Sequence, residues 1–243
     1  MPDPLHIVIP VYNEAANFPR LRSAILSSIK TTFEAYVVYD FDEDNTIPVV
    51  KQAIAEGDTQ FHLVKNNVGR GVLGALRTGF AQAKAGPMLV VMGDLSDDLS
   101  LVDRMVELHR KGYHLVSGSR YMKGGQQIGG GLLKKTLSRV AGASLYWFRG
   151  IPTHDSTNAF KLYDAQMVNS FTIESQGGFE ISLEITVKAF LGGYRITELP
   201  TTWRDRSAGE SRFRLWHWLP KYLHWYFYAF QARRERPETA PKQ

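Results

Sequence analysis

The chain has 243 residues, of which 44% are hydrophobic, 12% aromatic and 22% charged. This composition is ordinary for a globular protein with one large domain or two small ones, and it excludes disordered, collagen-like and coiled-coil classes. The chain has no cysteine, which excludes disulfide frameworks, thiol nucleophiles and cysteine-bound zinc or iron–sulfur sites, and its net charge of +5 is a mild basic excess.

Short apolar runs alternate with helical patterns through the first hundred residues. The first run, from Leu5 to Pro10, stops at a proline, as a buried strand does. Together the apolar runs predict four strands, at residues 5–10, 35–39, 61–64 and 88–92. Apolar residues spaced three or four apart predict the helices between them, at residues 17–30, 47–54 and 72–83. This alternation predicts an α/β fold with a mostly parallel central sheet flanked by helices.

The second half of the chain is less regular. A strand is predicted at 115–120, and five glycines between Gly124 and Gly131 predict a mobile loop. Residues 132–148 then have the pattern of an amphipathic helix. No repeat or interdomain linker is visible, so we expect one domain over residues 1–214, followed by an aromatic amphipathic helix and a basic tail over residues 215–243.

Polar and acidic side chains follow three predicted strands, at residues 12–14, 40–45 and 94–98. In open α/β sheets, ligands bind beyond the carboxyl ends of the strands. Neighbouring carboxylates repel one another unless a cation or the hydrogen-bond donors of a ligand offset the repulsion. The three clusters therefore predict a ligand site, although Asp and Asn are also common N-caps in strand-to-helix loops.

Five short motifs occur in one order along residues 5–215. They are Ile9-Pro10-Val11-Tyr12-Asn13-Glu14, Asn67-Val68-Gly69-Arg70-Gly71, Arg77-Thr78-Gly79-Phe80, Gly118-Ser119-Arg120-Tyr121 and Asp205-Arg206-Ser207-Ala208-Gly209-Glu210-Ser211. In this order and spacing the chain resembles the dolichyl-phosphate mannose synthase-like branch of the family 2 glycosyltransferases. The resemblance implies the GT-A fold, a nucleotide-sugar donor and a polyprenyl phosphate acceptor.

The resemblance also implies roles for residues on the donor side. Pro10, Tyr12, Glu14 and Asp40 correspond to positions that hold the base and ribose, and Arg70 to a contact with the donor phosphates. Carboxylates accept hydrogen bonds from ribose hydroxyls and base N–H groups, and a tyrosine ring offers a stacking face. Tyr12 is alternatively a packed turn residue, and Arg70 alternatively a solvated arginine at a helix start.

The metal site that the resemblance implies is incomplete. The family has Asp-x-Asp at the end of the fourth strand, whereas this chain has Met92-Gly93-Asp94. Asp94 is then expected to bind Mg²⁺ or Mn²⁺, which prefers oxygen ligands and neutralises the departing diphosphate. Ser96, Asp97 or Asp98 would have to compensate for the missing acid. At the second strand, Tyr39-Asp40-Phe41-Asp42 stands where the family has Asp-Asp-Gly-Ser.

On the acceptor side the attacking group is itself a phosphate, which is ionised at neutral pH, so no strong general base is required. What the reaction needs is a cluster of cations that positions two phosphate-bearing reactants. The candidates are Arg120, Lys134, Arg139 and Arg206, and each is alternatively a surface charge. Asp155 and Glu184 match family acids near the site, and we assign them positioning roles.

The tail combines aromatic and basic residues. Residues 215–230 contain three of the five tryptophans, Trp216, Trp218 and Trp225, and Arg233, Arg234 and Arg236 follow. Aromatic and basic residues together favour a membrane interface, where rings lie at headgroup level. The alternative is a helix that packs on the sheet and partly forms a dimer interface. Nucleic acid is not expected as a partner, because the acidic strand ends would repel it.

The sequence thus predicts an inverting glycosyltransferase that moves a sugar from GDP-mannose or a UDP-hexose to polyprenyl phosphate at a membrane surface. One alternative is the same fold with a saccharide or other hydroxyl acceptor, with Asp155 or Asp97 as base. Another is a non-catalytic nucleotide-sugar-binding protein whose metal site has decayed at Met92. No signal peptide or apolar span is apparent. We therefore expect a peripheral protein on the cytoplasmic membrane face, with homo-oligomerisation and a separate membrane-spanning partner left open.

Overall fold

The computed structural model describes residues 3–205 and 215–233. The strands are β1 (Leu5–Pro10), β2 (Phe33–Tyr39), β3 (Phe61–Lys65), β4 (Pro87–Val90), β5 (Leu115–Ser119), β6 (Gln126–Ile128), β7 (Lys161–Asp164), β8 (Ile196–Pro200) and β9 (Thr202–Arg204). The helices are α1 (Phe18–Ser28), α2 (Thr46–Ala55), α3 (Val72–Phe80), α4 (Val102–Arg110), α5 (Leu132–Ser144), α6 (Ala165–Asn169), α7 (Ile181–Leu191) and α8 (Leu215–Gln231).

Seven strands form one sheet in the order β3-β2-β1-β4-β7-β5-β8. The pairs β1–β2, β2–β3, β1–β4 and β5–β8 are parallel, and β7 is antiparallel to both of its neighbours. The direction therefore reverses on each side of β7, so that β5 and β8 point the same way as β1 to β4. This arrangement confirms the predicted α/β fold with a mostly parallel sheet. β6 and β9 form a separate parallel pair.

Helices cover both faces of the sheet because successive strand residues point to opposite faces. Val8 belongs to one apolar cluster, with residues of α3, α7 and α8, whereas Ile7 and Ile9 belong to the other, with residues of α1, α2 and α4. The contact between α3 and β1 is close: a Cβ on Gly79 would lie 2.2 Å from Cγ1 of Val8. A side chain at this position would push the helix off the strand.

Three predicted elements differ in extent. The third helix ends at Phe80 instead of residue 83, and the fourth strand ends at Val90 instead of Met92. The helix predicted over residues 132–148 is α-helical only to Ser144 and continues as a π-helical turn, Leu145–Arg149. The turn closes at Gly150, whose φ of 79° is a left-handed conformation that glycine adopts without steric cost.

The tail helix lies against the protein body with one face. Trp225 is only 3% exposed and Ala229 is fully buried. The Trp218 ring lies over Gly177 and Gly178: a Cβ added to either glycine would be within 3 Å of that ring. The interpretation of these tryptophans as membrane anchors is therefore wrong for Trp225, whose ring is buried, and is not favoured for Trp218, whose half-buried ring packs on these two glycines. The side chain of Trp216 and the tail from residue 234 lie outside the described residues.

The topology brings the ends of six strands to one edge of the sheet. β1, β2, β3, β4, β5 and β8 end there, and antiparallel β7 begins there. The chain also switches sides at β1, because β2 and β3 extend the sheet in one direction and β4 in the other. The crevice at such a switch point is where open α/β sheets bind ligands.

Candidate active site

The loops after β1 and β2 are joined by hydrogen bonds at the switch point. The Asn13 N–H donates to Asp44 Oδ2 (3.0 Å), and the Asn45 N–H donates to Asn13 Oδ1 (3.2 Å). The Glu14 N–H donates to Thr46 Oγ1 at 2.8 Å. Asn13 has a φ of 56°, in the left-handed region that asparagine tolerates. Protein donors thus satisfy buried Asp44, so part of this acidic cluster is structural.

The predicted base- and ribose-binding residues converge on the end of β4. Pro10 is buried at the end of β1, and exposed Tyr12 meets Phe41 edge to face, with 5.3 Å between ring centroids. Glu14 lies across Gly93: a Cβ on Gly93 would be 3.3 Å from Glu14 Cγ. The close approach of Glu14 explains why a residue without a side chain follows β4 at this point.

Asp40 holds the loop that carries Arg70. Asp40 Oδ1 accepts from the Asn66 side-chain amide at 2.7 Å, and Oδ2 accepts from the Gly71 N–H at 2.8 Å. Asn66 also donates to the Gly69 carbonyl (2.6 Å). Arg70 is exposed at the tip. Both oxygens of Asp40 are therefore engaged with this loop, and its contact with ribose stays a prediction.

The turn after β4 contains three polar residues in close contact. Asp94 Oδ1 accepts from the Ser96 N–H (3.2 Å), and Asp97 Oδ2 accepts from the Met92 N–H (3.1 Å). Leu95 between them has a φ of 60°, a left-handed conformation that is rare for residues other than glycine, asparagine and aspartate. Burial, and secondarily the charge of Asp94, raises the pKa of Asp97 to about 7. The turn thus brings carboxylates together at some cost in strain and repulsion.

The donor set of this turn suits a divalent cation that is shared with a substrate, not one enclosed by protein ligands. Within the described residues, no group of three or more His, Asp or Glu side chains is placed to hold a metal. Met92 supplies a thioether, a soft donor that Mg²⁺ does not favour. Mg²⁺ at nucleotide sites is commonly held by one or two carboxylates plus substrate phosphates. Asp94 meets this requirement, and buried Ser96 stays a predicted ligand.

Arg120 and Asp155 form a buried ion pair at the end of β5. Arg120 Nε donates to Asp155 Oδ2 (2.6 Å), and Nη2 donates to Oδ1 (2.9 Å). The Asp155 side chain is fully buried and that of Arg120 is 10% exposed. Burial alone would raise the pKa of Asp155, but the charge and hydrogen bonds of Arg120, together with the charge of Lys161, outweigh burial and hold that pKa below its usual value. Asp155 is therefore a carboxylate that orients Arg120.

A second buried cation lies behind this pair. Lys161, the first residue of β7, is fully buried, and its Nζ donates to Ser182 Oγ (2.8 Å) and to the backbone carbonyls of Ser156 (3.2 Å) and Asn158. Burial lowers the pKa of Lys161 to about 7, against the attraction of Asp155. Lys161 thereby fastens the loop that carries Asp155 to α7. It was not singled out from the sequence, because a lone lysine at a strand start looks like a surface charge.

A cavity of about 480 Å³ opens beside Arg120. Its walls come from the segment after β5, from β6 and from α5, and its basic residues are Arg120, Lys123, Lys135 and Arg139. Arg120 itself lines the cavity, and within the described residues its Nη1 donates no hydrogen bond. Four cations around one cavity give it a positive potential, which favours an anionic group.

Backbone contacts connect the cavity with the turn after β4. The Arg204 N–H of β9 donates to the Ser96 carbonyl (3.1 Å), and Arg204 pairs with Ile128 of β6, which lines the cavity. Asp97 and Arg120 also interact electrostatically. The turn that carries Asp94, the predicted metal ligand, is therefore connected through β9 and β6 to the cavity beside Arg120, the predicted contact of the acceptor phosphate.

The structure changes the set of acceptor-side candidates. Arg139 lines the cavity, and its role toward a phosphate stays a prediction; Lys134 is not among the lining residues, whereas its neighbour Lys135 is. Lys135 and Arg139 are four residues apart, a spacing that places them on one helix face and could have identified them. Arg206 lies outside the described residues. Glu184 is fully buried, accepts from the Glu174 and Ser175 N–H groups, and is thus a structural residue of α7.

Comparison with known proteins identifies the family. The model for glycosyl transferase family 2 matches residues 6–171. A dolichol-phosphate mannosyltransferase from Pyrococcus furiosus is 26% identical over 214 residues, which cover 86% of this chain and 58% of the relative. An undecaprenyl-phosphate 4-deoxy-4-formamido-L-arabinose transferase from Aeromonas hydrophila is 25% identical over 87% of this chain and 63% of the relative. The chain thus spans about three-fifths of the length of these relatives.

Solved structures show the same fold at lower identity. Glucosyl-3-phosphoglycerate synthase from Mycobacterium tuberculosis, in complex with Mn²⁺, UDP-glucose and phosphoglyceric acid, has a TM-score of 0.69 and 18% identity over 94% of this chain and 80% of that one. The same enzyme with Mn²⁺, UDP and glucosyl-3-phosphoglycerate has a TM-score of 0.66 and 16% identity, over 97% and 81% of the two chains. This likeness confirms the expected GT-A fold, and the chain belongs to glycosyl transferase family 2.

Proposed function

We propose that this protein is an inverting glycosyltransferase that moves a sugar from a nucleotide-diphosphate sugar, GDP-mannose or a UDP-hexose, to polyprenyl phosphate at a membrane surface. Two of its curated relatives are named for transfer to a dolichol or undecaprenyl phosphate. The observation that carries the proposal is the basic cavity beside Arg120, because it matches an acceptor whose attacking group is an anion.

The acceptor phosphate is proposed to lie in this cavity against Arg120. The guanidinium is held in place by Asp155, so it can meet a phosphate without being reordered, and preorganised donors are the efficient ones. Lys135 and Arg139 add two charges from one face of α5. Ser138, on the same helix, accepts from Arg120 Nη2 at 3.2 Å and offers a hydroxyl close to the cavity.

The donor is proposed to lie at the switch point between β1 and β4. Exposed Tyr12 offers a ring face to the base, and Glu14 and Asp40 offer carboxylates to base and ribose groups. Arg70, on the loop that Asp40 fastens, is proposed to contact the diphosphate. Asp94 would hold a Mg²⁺ or Mn²⁺ ion, which would neutralise charge on the diphosphate. Ser96 is the proposed additional ligand.

The chemistry is a single displacement. An acceptor phosphate oxygen forms a bond to the anomeric carbon while the bond from that carbon to the nucleoside diphosphate breaks, so configuration at the carbon inverts. The nucleophile is already an anion, so no proton has to be removed. The protein's task is to hold two anions together, which Arg120, Lys135 and Arg139 do by offsetting their repulsion. Arg206 is proposed to add to this cluster.

The contacts of Asp155 argue against a hydroxyl acceptor. A hydroxyl must lose its proton to a base, and both oxygens of Asp155 are occupied by Arg120. The other candidate base, Asp97, has one of its two carboxylate oxygens, Oδ2, engaged by the Met92 N–H. A non-catalytic nucleotide-sugar-binding protein would bind the donor without turnover.

We place the enzyme on the cytoplasmic membrane face, with residues 1–214 as the catalytic domain and residues 215–243 as a membrane-facing segment. The absence of cysteine fits a reducing compartment. Among the described helices, none has the length and apolar character needed to cross a bilayer. Attachment by a surface, or by a separate membrane-spanning partner, is consistent with that finding.

The test is transfer from a panel of labelled GDP- and UDP-sugars to polyprenyl phosphate in detergent, with Mg²⁺, Mn²⁺ or a chelator. A labelled lipid from one donor, lost with the chelator and in Asp94→Ala, is the expected result. A soluble saccharide acceptor in the same panel measures the alternative. Nucleotide binding without any product in the panel would favour the non-catalytic alternative and refute the proposal.

A further inference from the structure

Helix α5 turns its apolar residues away from the protein. Leu133, Leu137 and Val140 follow the spacing of one helix face and are all exposed, Val140 by 61%. The opposite side is in tight contact, since a Cβ on Gly142 would lie 2.1 Å from the His154 carbonyl oxygen. A surface helix of a globular protein normally buries its apolar stripe. α5 therefore has an apolar stripe without a partner in the described structure.

The π-helical turn that extends α5 exposes two large rings. Trp147 is 73% exposed and Phe148 is 81% exposed, whereas Leu145 of the same turn is fully buried. Tyr146 stacks on His154 with 3.8 Å between ring centroids. The turn is thus anchored through Leu145 and Tyr146 while its two outer rings project into solvent. Contiguous exposed apolar surface of this kind marks an interaction site.

Helix α8 extends the same surface. Leu223, Phe227 and Phe230 are exposed on the side of α8 opposite to buried Trp225. Two contacts join α8 to the end of α5: the hydroxyls of Ser144 and Tyr226 are 3.0 Å apart, and Arg149 Nη2 donates to the Ala232 carbonyl at 2.9 Å. We call the resulting surface the apolar face, and its residues are Leu133, Leu137, Val140, Trp147, Phe148, Leu223, Phe227 and Phe230.

The charged residues of the two segments that carry the apolar face are basic. The sequence has no Asp or Glu between Glu107 and Asp155, and none between Glu210 and Glu235. Lys134, Lys135, Arg139 and Arg149 flank the apolar residues of α5 and its π-helical turn. A symmetric contact with a second copy would place these cations against identical cations. An anionic partner is complementary, and tryptophan with lysine and arginine is typical of the headgroup layer of a membrane.

We propose that the apolar face docks into the headgroup layer of a bilayer containing anionic lipids, with Trp147 and Phe148 as its deepest residues. This proposal assigns a membrane-binding surface to the enzyme proposed above. The link between that surface and the acceptor rests on the proposed function. Lys135 and Arg139 of α5 also line the cavity beside Arg120. A helix seated in the headgroup layer would therefore hold that cavity at the depth of a lipid-borne phosphate.

The test is flotation of the full chain with phosphatidylcholine vesicles, with and without phosphatidylglycerol. We expect binding to the anionic vesicles, and a loss of at least about tenfold in partitioning for Trp147→Ser/Phe148→Ser. Leu26→Ser is the matched control, because Leu26 is an exposed apolar residue on α1, on the other face of the sheet. Far-UV circular dichroism checks folding, and transfer to polyprenyl phosphate in detergent is measured on the same variants.

Each outcome separates this surface from the catalytic proposal. If the double variant loses flotation but keeps wild-type transfer in detergent, both proposals are supported. If the double variant loses flotation and neither it nor the wild type transfers sugar, only the docking surface is supported. Variants that float like the wild type, or a wild type that leaves anionic vesicles unbound, overturn the proposal even if transfer is normal. A concentration-dependent dimer abolished by the double substitution, without vesicle binding, would assign the surface to self-association.

Discussion

Replacing Lys161 by methionine should change how the stability of this protein depends on pH. Methionine keeps the length of the side chain and removes its charge. In the wild type, Lys161 faces Asp155 and Arg120 as its charged neighbours, and its hydrogen-bond partner Ser182 also contacts Tyr163. The pKa of Lys161 falls from 10.5 to about 7 because burial disfavours the ammonium more than Asp155 favours it.

The direction in which stability changes with pH follows from the number of protons that the folded and unfolded chains bind. Between pH 7 and pH 10.5 the unfolded chain holds a proton on Lys161 that the folded chain has largely released, so stability rises with pH in this window. Below pH 7 the lysine is charged in both states and the full burial cost applies. From about pH 7.5 to about pH 9.5, this one group should raise the free energy of unfolding by about 2 kcal/mol.

The assay is urea unfolding of wild type and Lys161→Met at both pH values. Other groups contribute equally to the two proteins, so the difference between their pH slopes isolates Lys161. Lys51→Met, at an exposed position of α2, controls for the loss of one positive charge and should keep the wild-type slope. Equal slopes for wild type and Lys161→Met would refute the reasoning, and would mean that the three oxygens around Nζ keep the ammonium charged despite its burial.

Three further changes test the site and the fold. Arg120→Lys loses the paired hydrogen bonds to Asp155, so the KM for the acceptor, measured from initial rates, should rise at least about tenfold. Nucleotide affinity, measured by titration, should change less than about twofold. Equal losses of acceptor and nucleotide affinity would contradict this role. Asp40→Ala frees the Gly71 N–H, so donor affinity measured by calorimetry should fall about tenfold, and unchanged affinity would make that loop irrelevant to the donor. Gly79→Ala should lower the free energy of unfolding by about 1–3 kcal/mol, because its Cβ would meet Val8; a neutral result in urea unfolding would mean that α3 shifts freely.

The fold class could be predicted because its signals are local. The run from Leu5 to Pro10 and the helical spacing from Phe18 to Ile25 each follow from which face an element must bury. Parallel strands separated by helices place the polar residues after β1, β2 and β4 at one edge, and the structure has them there. The position of these polar residues at one edge could therefore be predicted before the fold was known, while their contacts with a donor stay a prediction.

The acceptor side depends on contacts that no local pattern encodes. Arg120 meets Asp155 across 35 positions because β7 inserts antiparallel between β4 and β5. Local sequence also does not predict which aromatic residues are buried, because Trp225 and Trp147 both lie in segments rich in aromatic and basic residues. Burial of a ring is decided by which neighbours cover that side of its helix, and the body covers Trp225 while leaving Trp147 in solvent. The sequence determined which elements form, and tertiary packing decided which of their faces remain available for a partner.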